Sequence, residues 1–123
     1  MPAPPRQPDS LETRLSKVNE ITITVTGRKS GRAISIPVWF VAEGWTLYLL
    51  PVQGSRTQWY QNVLKTPSIV VDAGGVQAEL QVVPITDPDQ VKSVVEKFRG
   101  KYGKGDVKKY YSKFDVAVTA QIR

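Results

Sequence analysis

Residues 21–42 read ITITVTGRKSGRAISIPVWFVA, and the alternation within them decides the fold class. Ile21, Ile23 and Val25 take every second place against Thr22, Thr24 and Thr26, the period of a strand with one face buried. A polar turn bounded by Gly27 and Gly31 follows, and the extended pattern resumes over 33–42 with Ile34, Ile36, Val38 and Phe40 on one side. Pro37 has no N–H to give to a ladder, which places it at a sheet margin or a bulge.

The rest of the chain extends this hairpin logic in both directions. Glu43 and Gly44 suit a tight turn into a third strand over 45–50, and Pro51-Val52-Gln53-Gly54 breaks that strand. Ser55 and Gln58 have capping-box spacing, which predicts a helix from Ser55 with Trp59, Val63 and Leu64 as its apolar stripe and Pro67 as its stop. Strands over 68–72 and 76–85 meet near Gly74-Gly75, a pair that accepts the positive φ of a tight hairpin. Asp87-Pro88-Asp89 opens a helix whose stripe is Val91, Val94, Val95, Phe98 and Tyr102, running to the glycines at 100 and 103. A shorter helix over 106–113 and a strand over 114–122 complete the order β-β-β-α-β-β-α-α-β. Hairpins dominate and no regular βαβ series appears, so the expected class is α+β, mainly antiparallel β: a small barrel with three flanking helices. Upstream, Ser10 caps a short turn carrying Leu11, Leu15 and Val18, and Pro2, Pro4, Pro5 and Pro8 make the opening ten residues a flexible tail. The expected organisation is residues 1–20 as tail and helical turn, and residues 21–123 as one barrel domain.

Composition narrows the chemistry. The 123 residues contain no Cys and no His, which removes disulfides, thiol nucleophiles, Ser-His-Asp triads and the usual ligand sets for zinc, copper and haem iron. No metal site and no catalytic side chain are expected, so any reaction belongs to something bound. Seventeen Lys and Arg against eleven Asp and Glu give a net charge of +6, which favours an anionic ligand, a nucleic acid or an acidic membrane. With no apolar run of membrane-spanning length and no secretory-type leader, the chain reads as soluble and cytoplasmic.

Three clusters could bind. Arg28, Lys29 and Arg32 crowd one turn with Ser30 and Gly31, a set suited to phosphate or carboxylate oxygens, or else a solvated hairpin tip. Val52, Gln53, Gly54 and Ser55 precede a helix whose N-terminal N–H groups could hold an anion or the polar edge of a ring, or else simply cap the helix. Beside them, Trp59 suits the core and Tyr60, off the apolar stripe, suits a ligand contact. Lysines among Tyr102, Tyr110 and Tyr111 could serve nucleic-acid binding, or form the polar face of ordinary helices.

Taken together, Thr26-Gly27-Arg28-Lys29-Ser30-Gly31, Pro37 six residues on, Gly54-Ser55, and Trp59-Tyr60-Gln61-Asn62-Val63 before Thr66-Pro67 resemble the deazaflavin-dependent nitroreductase family. The resemblance covers about residues 21 to 85. It implies a split β-barrel of the FMN-binding kind, with 21–123 as the cofactor-binding domain. The implied cofactor is coenzyme F-420, an 8-hydroxy-5-deazaflavin, from which hydride passes to a small acceptor such as a quinone or nitroaromatic. FMN is the alternative cofactor, and a non-enzymatic cofactor- or nucleic-acid-binding module is the alternative class. The resemblance implies that Arg28, Lys29, Ser30, Gly31 and Arg32 hold the anionic tail. It places Val52, Gln53, Gly54 and Ser55 at the ring, with Trp59 and Tyr60 beside it and Tyr102, Tyr110 and Tyr111 at the acceptor pocket. Among partners, a homodimer and peripheral membrane contact stay open, and no specific nucleic acid is expected.

Overall fold

The computed structural model describes residues 10–122, so the proline-rich tail over 1–9 lies outside the described residues. Ser10 caps helix α1 (Leu11–Leu15) by accepting the Thr13 N–H, and Leu11 and Leu15 are buried in the barrel core. Strand β1 (Ile21–Thr26) shows the expected alternation, with Ile21, Ile23 and Val25 buried. It pairs antiparallel with β2 (Ala33–Val38) in a register that sets Ile21 opposite Val38 and Thr26 opposite Ala33.

The stretch expected as one strand over 33–42 is two. Strand β2 stops at Val38, and β3 (Phe40–Glu43) begins after Trp39. Pairs β3 with β4 (Thr46–Leu49) and β5 (Ser68–Ala73) with β6 (Val76–Ile85) are both antiparallel, and β7 is Ala117–Gln121. The seven-stranded order is β2-β1-β5-β6-β7-β4-β3, so the strands on either side of Trp39 form opposite margins of the sheet. A sheet whose two margins are joined through one residue must curl on itself, which makes it a half-barrel. Pro37 sits in a margin strand, where a missing N–H is tolerated. The margin position also explains why Ile34 is 39% exposed although its neighbour β1 is buried on the matching face.

Helix boundaries depart from the sequence reading near residue 55. The Ser55–Gln58 capping box does not form: a 3-10 turn (Gly54–Arg56) comes first, and α2 (Gln58–Lys65) starts after Thr57. The Thr57 hydroxyl accepts the Gln53 N–H at 2.8 Å, so it stabilises the turn before the helix rather than the helix itself. Trp59, Tyr60 and Val63 of α2 are buried in the barrel core, while Leu64 is 49% exposed. Helix α3 (Pro88–Tyr102) has its Asp87 cap on the Gln90 N–H and runs through Gly100 to Gly103. Helix α4 (Lys104–Tyr110) starts and ends earlier than the 106–113 segment expected from sequence. A second core forms outside the barrel, where Val91, Val94, Val95 and Phe98 of α3 pack with Val107, Tyr111 and Ala117.

Candidate functional site

The 27–32 turn is closed by its own backbone: Gly27 N–H donates to Arg32 O at 2.8 Å and Gly31 N–H to Gly27 O at 2.9 Å. Gly31 has φ +73°, a conformation glycine takes without strain. The Ser30 hydroxyl accepts the Arg32 N–H at 3.2 Å. Arg28 is anchored on α2. Its Nη1 donates to Asn62 Oδ1 at 2.8 Å, its Nη2 to Gln58 Oε1 at 2.9 Å, and its backbone N–H to Asn62 Oδ1 at 3.1 Å. Lys65 Nζ donates to Arg28 O at 2.8 Å. These acceptors are neutral, so they orient the guanidinium without cancelling its charge. Lys29 and Arg32 are exposed, and among the described residues no carboxylate pairs with Arg28, Lys29, Arg32 or Lys65. A cleft of about 350 Å³ lies here, with Arg28, Lys29, Ser30, Ile34, Gln58 and Trp59 in its walls. Sequence reasoning gave Gln58 a capping role, met Asn62 only as part of the 59–63 motif and passed over Lys65, so it assigned none of the three to this site.

The 52–55 turn is organised differently. Asp115 Oδ2 accepts the Ser55 hydroxyl at 2.6 Å and Asp115 Oδ1 accepts the Ser55 N–H at 2.9 Å. The Gln61 side-chain amide donates to Ser55 O, and Ser112 N–H donates to Val52 O at 2.8 Å. Gly54 has φ +56°, and a Cβ there would stand 2.1 Å from Asp115 Oδ1. Burial raises the Asp115 pKa, but both Ser55 hydrogen bonds and the Lys113 charge outweigh it and hold the carboxyl below its ordinary value. The donors read from the sequence as open to an anion are therefore met from inside the chain. Tyr60, expected at a ligand, is 3% exposed in the core, and burial, then the Asp115 charge, raises its pKa.

The tyrosines of the third cluster divide. Tyr110 and Tyr111 line a cavity of about 380 Å³ together with Val52, Leu50, Pro37 and Trp39. Tyr111 stands 6.0 Å from Trp39 at 47°, and Tyr110 meets Trp39 edge-on at 5.5 Å and 79°. Burial, with Tyr102 second, pushes the Tyr111 hydroxyl far above the ordinary phenol value, so it stays protonated and can only donate or pack. Tyr102 does not line this cavity. It stacks on Trp39 at 4.2 Å and 8°, and its hydroxyl is surrounded by Asn19 O, Phe40 O and the Phe40 N–H at 2.7 to 3.1 Å. Its role is to pin α3 to the break between β2 and β3. Trp39 is the residue sequence reasoning missed, because a break of one strand into two leaves no local sign.

A larger cavity of about 500 Å³ lies between α1 and β3, with Glu12, Asn19, Phe40 and Lys101 in its wall. Lys101 Nζ donates to Phe40 O at 2.8 Å and stands 3.5 Å from the Phe40 ring centroid. Burial lowers its pKa to about 8.

The curled antiparallel sheet with a basic turn at one margin defines a split β-barrel. A family model described as "Uncharacterized protein conserved in bacteria (DUF2255)" matches residues 12–122, and the chain belongs to that family. No functionally curated protein matches the sequence. Among solved structures, an F-420-H2-dependent reductase is 17% identical over 84% of this chain and 94% of its own, with a TM-score of 0.65. A putative pyridoxamine 5'-phosphate oxidase from Listeria innocua is 13% identical over 90% and 88%, with a TM-score of 0.65. HutZ, the heme storage protein from Vibrio cholerae, is 10% identical over 90% and 86%, with a TM-score of 0.67. One fold thus carries three different descriptions, and at these identities the likeness establishes the fold alone. That fold is the one implied by the deazaflavin-dependent nitroreductase resemblance. No helix among the described residues is long and apolar enough to cross a membrane.

Proposed function

We propose that the protein is an oxidoreductase that binds coenzyme F-420 and passes hydride from it to a small acceptor. The observation that carries this reading is the pairing of two unlike sites along β2. Four cations without a carboxylate partner among the described residues gather at its start, and the aromatic cavity around Trp39 lies just past its end. Strand β2 spans about 17 Å at ordinary strand rise, a separation suited to a cofactor with a long anionic tail and a flat ring. The donor set fits the group. Arg28, Lys29 and Arg32, joined by Lys65, match several phosphate and carboxylate oxygens, more than a single phosphate requires. When bound, the reduced deazaflavin supplies the hydride.

The chain's own residues position and shield. Gln58 and Asn62 hold the Arg28 guanidinium in a fixed orientation, so its charge is presented without reorganisation. Trp39, Val52 and Pro37 give the cavity an apolar wall against which a flat ring can pack. The Tyr111 hydroxyl, kept protonated by burial, is the candidate donor to an acceptor oxygen. Equilibrium titration with F-420 and with FMN tests the assignment: tighter binding of FMN would overturn the choice of cofactor, and binding of neither would overturn the function. Loss of one cofactor's binding in the K29A/R32A double variant, with unchanged thermal unfolding, identifies the turn as its seat.

A further inference from the structure

The cavity beside Trp39 contains a feature that a site for neutral aromatics does not require. Glu20, in the segment between α1 and β1, lines it with Trp39, Tyr110 and Tyr111, and among the described residues it is the only charged one in the wall. Among the described residues the Glu20 carboxylate has no ion-pair partner. Its charge is felt in the cluster, where it adds to the burial that raises the Tyr102 pKa.

The three rings meet at 47° and 79° rather than lying parallel, so they form walls around a space instead of a stack. Tyr102 backs Trp39 by flat stacking, which fixes the wall against rotation. Ring faces attract cations through their quadrupole. The chain already uses that attraction nearby, with Lys101 over Phe40 at 3.5 Å and Lys109 over Tyr110 at 5.3 Å. Three angled rings and one unpaired carboxylate are the parts of a cage for positive charge.

We propose that this cavity selects an organic cation, a flat N-heteroaromatic carrying a quaternary or protonated nitrogen, with its charge against the rings and Glu20. The inference rests on the reading of the cavity as the acceptor site, and it names the acceptor's class. The chain's net charge of +6 repels cations at long range, so a preference for one can arise only from this local arrangement.

The test is calorimetric binding of 1-methylquinolinium, its neutral analogue 1-methyl-2-quinolone, and the anion quinoline-2-carboxylate, on the full chain without cofactor. The cation should bind about fivefold or more tightly than the neutral analogue, and the anion most weakly. Glu20→Gln should cut the preference at least twofold while leaving binding of the neutral analogue unchanged. Tyr110→Ala, at a residue 52% exposed, should weaken the cation several-fold with the fold retained. Equal affinities in the wild type, tighter binding of the neutral analogue or the anion, or a preference left undiminished by Glu20→Gln would overturn the inference. F-420 titration is scored separately. Cation selectivity without F-420 binding would remove the proposed function and leave the cage standing, whereas F-420 binding without selectivity would do the reverse.

Discussion

The 27–32 turn and the 52–55 turn each carry a positive-φ glycine, a serine and backbone N–H groups, and each adjoins α2 or its approach. In the second, Asp115 from 60 residues downstream accepts both the Ser55 N–H and its hydroxyl. In the first, Arg28 donates to the neutral amide oxygens of Gln58 and Asn62, and the cations stay uncompensated among the described residues. A turn rich in donors is a binding site only if the fold leaves its charge unanswered. Here one turn is answered by a carboxylate and the other is not.

The sharpest way to break this contrast is at Gly54. Gly54→Ala forces a side chain into positive φ and onto Asp115 Oδ1, and should cost about 3 kcal/mol or more in denaturant unfolding. Next, Asp115→Asn should cost about 2 kcal/mol, because a neutral amide cannot accept from the Ser55 N–H and hydroxyl as a carboxylate does. The same pair sets a pH dependence. The folded Asp115 pKa lies below the unfolded value of about 3.9, so the stabilisation is present above that pH and lost as pH falls through the folded value. Thermal unfolding from about pH 5 to pH 2 should show this loss in the wild type and lack it in Asp115→Asn.

At the other turn the order of effects reverses, with binding hit and stability spared. The K29A/R32A pair should weaken F-420 at least tenfold, increasingly at low salt, with thermal unfolding unmoved because both side chains are exposed. Arg28→Ala should also cost about 1 kcal/mol of stability, since the 4% exposed Asn62 loses a charged donor. The smallest effect belongs to Lys101. Its folded pKa of about 8 lies below the free value, so the unfolded chain holds the extra proton between about pH 8 and 10.5 and stability should rise across that window. Lys101→Met should flatten the rise.

Much of the fold was legible because it rests on local rules. The period-two pattern gave β1, the Gly74-Gly75 pair gave the β5–β6 turn, and Asp87-Pro88 gave the start of α3. What failed was long-range. Pro37 marks β2 as a margin strand, but the break at Trp39 that sends β3 to the opposite margin is set by barrel closure. The capping box at Ser55 lost to a carboxylate brought from another strand's approach. At the candidate site, cation clustering at 28–32 was visible, as were Tyr110 and Tyr111. Their shared wall with Trp39 and Glu20 was not, because it is made by three separate segments meeting.

Strand β7 lies between β6 and β4, and its residues 117–121 are the last strand in chain order. Every other pairing in the sheet, β1 with β2 and β5, β5 with β6, β3 with β4, can form from residues made earlier. Without β7 the pairings fall into two separate sheets, each with an open strand edge, one on β6 and one on β4. Those edges are a hazard of sticking to other nascent chains, and a single five-residue strand closes both at once. The barrel is completed only when residues 117–121 dock, so β7 should join after the two sheets that it bridges.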